Sequence, residues 1–467
     1  MSATAPKTVT TEKRGLILPL WRKIGYGVGD AGMNFSWTFI STFAMFYMTN
    51  IVGVGAAAIG TVMLLARLVD GITDVAFGGL LDRTHTKWGQ ARPWLFWSTF
   101  PLAIGTFMIF NVPAGLSETG KVVYFFVMYV LVGAFFYTAA NIAYNALVAL
   151  CTDDARTRVS MGSIRFVCTV IAVLFLTSAI VSIVGAFGGG QRGWTLVSLL
   201  YAAVLALLLL ISFFSVKEMG VGETAGAMGA APEAAPESKR PSFLQSLKIV
   251  LTNKHFLLVL GIILTCYIGV GAGNGAGIYY ATYVLGDANV FGTLMIAATV
   301  PSAIALPFMA GIMAKYGMRM VNIVGCVLIV IGDLIAWFGQ HSMPMLLIGL
   351  VIAGLGSAPF LGSFMAYVAA VGDNIELTTG AAIAGVTFSV SSVGIKVGQG
   401  LGGAIVGWAL GATGFDGTAA NQPDAAVSMM AILYILVPIA FALLRLIAFI
   451  PFTVEEENDA ARRALSA

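Results

Sequence analysis

Charge is what this sequence has least of. Asp, Glu, Lys and Arg together make up 10% of its 467 residues, while 58% are hydrophobic; an ordinary soluble domain carries about 25% charged residues. That excludes a soluble globular domain and leaves an integral membrane protein with many spans. Histidine is scarcer still. His85, His255 and His341 are the three present, all near loops, and no nucleophile stands with a base beside it, so a membrane enzyme has no chemistry to draw on. No soluble sensing domain is present for a sensor. Four cysteines, Cys151, Cys168, Cys266 and Cys326, lie in or beside hydrophobic runs without framework spacing and read as packing residues rather than disulfides. The first twenty residues have no apolar core before a small-residue cleavage site, so no cleaved signal peptide is expected. A net charge of +3 suggests no nucleic-acid partner.

What the sequence does have is long apolar runs. They recur along the whole chain at or above the ~18 residues that span a bilayer, which calls for helices rather than a barrel. The runs predict an all-α membrane protein with twelve transmembrane helices at 24–50, 56–81, 93–113, 121–150, 160–186 and 194–215, then 254–284, 290–314, 319–340, 343–371, 379–411 and 425–451. Between the sixth and seventh, the segment 216–253 is rich in Ala, Gly, Pro and Glu and reads as a flexible linker joining two six-helix halves. Residues 1–23 and 453–467 are terminal tails. The halves echo each other: Gly78, Asp82, Arg83, Lys87 and Gly89 follow the second span, and Gly311, Lys315, Gly317 and Arg319 follow the eighth. Nearly all basic loop residues fall on one side, with only Lys121 and Arg192 on the other. The positive-inside rule therefore puts both termini in the cytoplasm.

The second span carries Arg67, Asp70 and Asp74, three and four residues apart and so on one helical face. A charge at bilayer depth costs roughly 2.5–3.5 kcal/mol, so this face looks at protein or a water-filled path. Two carboxylates one turn apart are costly to hold unless a cation or a proton neutralises them, which makes Asp70 and Asp74 a candidate cation seat. Arg67 pairs structurally with Asp70 or takes part in transport. The first span places Tyr26, Asp30 and Asn34 at spacing four, continued by Trp37 and Thr38. The fourth has Thr138, Asn141 and Asn145 on one face, the fifth Arg165, and the eleventh Lys396. Polar groups from five helices are satisfied together by one shared cavity. Asp333, with no partner visible in sequence, reads as structural, and Arg445 reads as snorkelling to the interface.

The stretches GYGVGDAGMN, ARLVDGITDVAFGGLLDRTHTKWGQARPW, TAANIAYNAL and IKVGQGLGGAIVGWALGATGF resemble the glycoside-pentoside-hexuronide:cation symporters of the major facilitator superfamily, from about Gly25 to about Phe452. GVGAAAIGTVMLLARLVDGITDV and GKVVYFFVMYV most resemble the bacterial glucuronide carriers, and melibiose carriers are more distant. The resemblance implies two pseudo-symmetric six-helix bundles, alternating access and a bacterial inner-membrane location. It also implies inward symport of a glycoside or uronide with Na+ or H+. It assigns Asp70, Asp74, Thr73 and Thr138 to the cation site, and Arg165 and Lys396 to the sugar and cation sites. Asn34 and Asn141 stand where melibiose carriers have aspartates, Met33 replaces a lysine, and Asn145 replaces a stacking tryptophan. An amide both donates and accepts without charge, so the pocket is less repulsive to an anionic sugar. Trp37 or Tyr144 could supply the aromatic platform.

The expected substrate contacts are therefore Asn34, Asn141, Asn145, Arg165, Lys396, Tyr26, Asp30 and Trp37. Arg67, Asp82, Arg83, Lys87, Arg92 and Asp373 form the expected gate, in which the basic turn latches helices on the cytoplasmic side of the outward-open state. No cofactor beyond the coupling ion is expected. The partners are a small sugar, a monovalent cation and the bilayer, for a monomeric protein. Transport of lysophospholipids is the rival reading, and it needs a broad apolar cavity open sideways to lipid. A non-transporting sensor or enzyme is a remote one.

Overall fold

The computed structural model describes residues 17–219, 243–381, 383–419 and 421–466. Most of the expected N-terminal tail and linker, residues 1–16 and 220–242, lie outside the described residues. The chain is helical as expected, and among the described residues the only β pairing is an isolated bridge between Thr86 and Gly89. In sequence order the first long helices are α1 (Leu20–Asn50), α2 (Ala56–Asp82), α3 (Arg92–Ile109), α4 (Glu118–Cys151), α5 (Ala155–Ala186) and α6 (Gly190–Ser215). The second set is α7 (Lys254–Val284), α8 (Val290–Tyr316), α9 (Met318–Phe338), α10 (Met343–Thr379), α11 (Ala384–Ala412) and α12, which joins Asp424–Ala431, Ile432–Leu436 and Val437–Phe449. Among the described residues, ten helices are long and apolar enough to cross a membrane. α1, with 31 residues, and α3, with 18, stand at the other two positions expected for spans.

Local chemistry sets the boundaries. Asp154 caps α5 by accepting the N–H of Thr157 at 2.7 Å, and the Thr157 hydrogen bonds hold its carboxyl below its ordinary range. α10 outruns its expected end by eight residues because GDNIELTT continues the helix until Gly380, whose left-handed conformation (φ +69°) terminates it. α11 correspondingly starts later than expected.

The two sets of helices meet symmetrically. α2 runs along α11 and α5 along α8, and exchanging each helix for its counterpart six places away (α2 for α8, α11 for α5) turns one pair into the other. This is the pseudo-two-fold relation expected of the fold. The α2–α11 seam is backbone on backbone, as small residues permit in a membrane. A Cβ on Gly407 would lie 2.5 Å from the Ala56 carbonyl oxygen, and one on Gly60 would lie 3.1 Å from that of Ala404. Trp408 Nε1 donates to Thr61 Oγ1 across the same seam at 2.9 Å. Further along, Thr49 Oγ1 meets the Tyr279 hydroxyl at 2.8 Å, Asn50 Nδ2 donates to the Tyr283 hydroxyl at 2.5 Å, and Ser182 donates to Asn289 at 3.0 Å. The two sets are thus closed at the end away from the α2–α3 and α8–α9 turns.

The α2–α3 turn is held by a residue from α6's end. Buried Glu218 accepts the backbone N–H groups of Gln90, Ala91 and Arg92 at 2.7, 2.9 and 2.8 Å, a carboxylate at a helix N-terminus. Gly89 is required there twice over: its φ is +114°, and a Cβ would lie 2.3 Å from Glu218 Cδ. One expectation fails in the second set. Arg445 does not snorkel; it is 6% exposed and sits 5.6 Å from the Phe360 ring, beside Cys266 and Cys326. It faces inward because the surrounding α7, α9 and α10 surfaces offer a polarizable pocket of Cys266, Cys326 and Phe360. All four cysteines are free.

Candidate functional site

α2 and α11 cross where their charges meet. Asp70, 4% exposed, accepts from Lys396 Nζ at 2.9 Å and Thr138 Oγ1 at 3.0 Å on Oδ1, and from Arg67 Nη1 at 3.2 Å on Oδ2. Asp74 Oδ2 lies 2.5 Å from Lys396 Nζ, and its Oδ1 is 3.0 Å from Thr138 Oγ1. Two carboxylates and two cations balance, which is what lets four charges sit together at this depth. Lys396 arrives from the other set of helices and brings a single positive charge between the two carboxylates. Thr138 reaches them because it directly follows the π-helical turn Leu131–Tyr137. The wider turn rotates the residues after it relative to a continuous α-helix. Its one proton serves Asp70, Asp74 and the Gly133 carbonyl in turn.

Arg67 has a second partner: its guanidinium lies 3.6 Å from the centroid of the Trp37 ring. Trp37, Arg67 and Asn34 line a cavity of about 280 Å3 between the two sets of helices, which Asn274 and Gln399 complete from the second set. Asn34 donates to the Asp30 main-chain carbonyl at 2.8 Å and accepts from Thr38 at 2.9 Å, leaving one amide proton toward the cavity.

A second polar network joins α1, α4 and α5. Arg165 Nη2 lies 3.0 Å from Asp30 Oδ1, Arg165 Nη1 donates to Asn145, and Asn145 donates to Asn141 at 2.9 Å. Thr169, one turn beyond Arg165, donates to the other Asp30 oxygen. Tyr26 and Tyr144 stack at 4.5 Å and exchange hydrogen bonds with each other's main-chain carbonyls. Both are fully buried. They clamp α1 to α4, and neither ring face is presented to a sugar; of the two expected platforms, Trp37 alone lines the cavity.

The remaining expected residues fall elsewhere. Thr73 donates to the main-chain carbonyl of Asp70 at 3.1 Å, not to either carboxylate. Asp82, Arg83 and Lys87 are exposed, with no side-chain partner among the described residues. Arg92 donates to the Phe213 carbonyl at 3.1 Å and Asp373 pairs with Arg462 at 2.7 Å, each within its own set of helices. The gate residues are therefore apart in this conformation, which is closed at the opposite end.

A family model described as MFS/sugar transport protein matches residues 25–456. The chain belongs to this family. It is a multi-pass membrane transporter and not an enzyme. This family member is 31% identical over 446 residues to the glucuronide carrier protein homolog of Escherichia coli, covering 93% of each chain. It is 28% identical over 462 residues to the isoprimeverose transporter of Lactiplantibacillus pentosus, covering 97% of this chain and 92% of that one. Among solved structures, a variant of the nucleoside transporter NupG superposes with a TM-score of 0.64 at 14% identity, covering 92% of this chain and 99% of that one, a likeness of fold.

Four functional positions in this transporter escape a reading of its sequence. Gln399 was accessible, since it follows Lys396 by three residues and shares its helix face. Thr169 stands in the same relation to Arg165. Asn274 is an amide alone in a glycine-rich apolar run, a weak signal, and Glu218 lies 126 residues from the turn it holds, beyond any local pattern.

Proposed function

We propose that this protein imports a glycoside or uronide by symport with a monovalent cation, the cation seat being Asp70, Asp74 and Thr138. The observation that carries this reading is Lys396: a side chain from the second six helices puts one positive charge between two carboxylates of the first. A cation entering the same place competes with that ammonium. Once Lys396 leaves, the link between α2 and α11 at this level is broken and the charge balance is kept by the ion. Arg67, held on Asp70 and Trp37 at the cavity wall, transmits the change to the sugar site. The reading makes cation and sugar binding reciprocal, which is the thermodynamic content of coupling.

Under this proposal the cavity between the two sets of helices takes the sugar. Trp37 offers a ring edge, Asn34, Asn274 and Gln399 offer neutral donors and acceptors, and Arg165 offers charge to a uronate once the Asn145–Arg165–Asp30 network opens. With the basic turns cytoplasmic, the conformation is inward-facing, and Asp82, Arg83, Lys87 and Arg92 meet the second set of helices in the opposite state. The two six-helix halves then rock about the site as bodies joined by the linker. The relatives' names, a glucuronide carrier homolog and an isoprimeverose transporter, support a glycoside over a lysolipid, as do the amide side chains of Asn34, Asn274 and Gln399 on the wall of the cavity between the halves. The test is a binding screen of glucosides, glucuronides, xylosides and lysolipids, with and without Na+, at two pH values. The expected result is one glycoside class whose affinity rises with Na+ or with acidity; lysolipid binding alone overturns the reading.

A further inference from the structure

α2, α3 and α4 leave a groove of about 460 Å3 between them, inside the ~300–1,000 Å3 of ordinary small-molecule sites. Phe77, Trp94, Trp97 and Phe135 wall it, and Ala76 and Ala134 leave its floor low. Trp97 is 63% exposed and Phe135 50%, so in membrane-spanning helices the groove opens sideways to lipid. Its polar lining residues, Thr73 and Ser98, already donate to main-chain carbonyls of their own helices, those of Asp70 and Trp94. The groove therefore offers a ligand an apolar surface.

Its two ends differ. From Leu80 to Thr73, both in the lining, α2 climbs seven residues, about 10 Å. One leaflet of the hydrocarbon core is about 15 Å deep, so the groove follows a single leaflet inward from the α2–α3 turn. At the turn, Thr84 Oγ1 accepts from the Trp94 indole at 2.8 Å and donates to the Leu80 carbonyl at 2.9 Å, which sets the residues after α2 at the groove's mouth. Arg83 and Lys87 stand on either side of Thr84 in the chain, exposed and without a side-chain partner among the described residues. Together with exposed Asp82 they carry one net positive charge, equal and opposite to a single phosphodiester. At the deep end, Thr73 precedes Asp74, Ala134 belongs to the π-helical turn Leu131–Tyr137, and Ala139 follows Thr138. That end is the back of the Asp70, Asp74 and Thr138 cluster.

We propose that the groove binds one acyl chain of an anionic phospholipid whose phosphate lies against Arg83 and Lys87, and that the bound chain tunes the cation seat. The second half rests on the reading of Asp70, Asp74 and Thr138 as that seat. An unfilled groove leaves Ala134 and Phe135 without contacts on one side. A chain supplies them and holds the turn in its wide form, which is what presents the Thr138 hydroxyl to both carboxylates. The lipid is a fixed partner in this arrangement and is not transported.

The test uses the purified full-length protein in nanodiscs of phosphatidylcholine, of phosphatidylethanolamine, and of phosphatidylcholine mixed with phosphatidylglycerol. Ala76→Phe fills the groove and leaves the mouth intact; a variant with Arg83→Gln and Lys87→Gln does the reverse, and thermal stability is measured for each. Native mass spectrometry counts retained lipid, amide exchange follows residues 131–137, and titration with Na+ and with acid gives the apparent cation affinity. The proposal expects one retained phosphatidylglycerol, with exchange at least threefold slower and cation affinity at least threefold higher than in either neutral lipid. Both variants should abolish all three differences, Ala76→Phe doing so although the anionic discs keep their surface charge. Phosphatidylglycerol retained by Ala76→Phe, or a rise in cation affinity that survives in both variants, would overturn the site. Equal effects of phosphatidylethanolamine would overturn its choice of an anionic lipid. Cation binding absent from every disc, with lipid retention and slowed exchange intact, counts against the cation seat and not against the lipid site.

Discussion

Asp70 and Asp74 look equivalent as a carboxylate pair, yet their surroundings demand different consequences on neutralisation. Asp70→Asn removes the anion that both Arg67 and Lys396 face. Lys396 keeps Asp74 at 2.5 Å, but Arg67, whose side chain is 6% exposed, loses its one carboxylate and retains the Trp37 face. Breaking a buried pair from one side costs about 3–5 kcal/mol, and a cation–π contact of about 2 kcal/mol already present supplies nothing new to offset it. Asp74 is 28% exposed and shares Lys396 with Asp70, so Asp74→Asn leaves Lys396 paired at 2.9 Å and costs roughly 1 kcal/mol. Both variants should lose cation-dependent accumulation, while Asp70→Asn alone should lower the midpoint of thermal loss of monodisperse protein by several degrees. Fluorescence-detected size exclusion after graded heating measures the second, and proteoliposome uptake the first. Equal thermal penalties would refute the assignment of Arg67 to Asp70, and an Asp74→Asn carrier that still concentrates sugar would refute the cation seat.

Two further substitutions probe the scaffold that holds the site. Gly407→Val places side-chain carbon against the Ala56 carbonyl, where even a Cβ would lie at 2.5 Å. It should shift the population away from this conformation, closed at the Thr49 and Tyr279 end, read as faster labelling of a cysteine introduced at Thr49 and slower uptake. Glu218→Ala removes three charge-assisted hydrogen bonds from the α2–α3 turn. Losses of about 1.5–3 kcal/mol for such a bond predict a clear drop in thermal stability and faster amide exchange at Gln90 to Arg92, with Glu218→Asp intermediate. Lys396→Met removes the competing ammonium and should raise apparent cation affinity tenfold or more while leaving sugar binding less dependent on the cation. Isothermal titration with each ligand checks it, and weaker cation binding would contradict the competition.

The spans were legible because lipid forces the backbone to bond within helices, so hydropathy and length suffice; among the described residues the expected ranges overlap the ten helices long and apolar enough to cross a membrane, and α1 and α3 besides. Asp70, Asp74 and Lys396 were legible as a group because a charge at bilayer depth needs a partner, and few candidates exist. Helix rotation was not legible. Tyr26 shares the spacing of Asp30 and Asn34, yet it packs on Tyr144, because a π-turn in α4 and the close approach of α1 decide which faces meet. Arg445 was misplaced for the same reason: nearness to a helix end suggested the interface, while the rotation of α12 turned it toward Cys266 and Cys326. Glu218 shows the third limit. Its partners are backbone N–H groups of a turn more than a hundred residues away, and a backbone group leaves no mark in a sequence.

Coupling is the central claim, and its most direct test reverses the usual experiment. In proteoliposomes with no ion gradient, an inward gradient of the transported glycoside is imposed and the movement of Na+ and H+ is recorded. Reciprocity requires the sugar to carry the cation with it. The account predicts inward flux of one of the two ions at a fixed ratio to sugar, abolished by Asp74→Asn; sugar entry with no ion movement would contradict it.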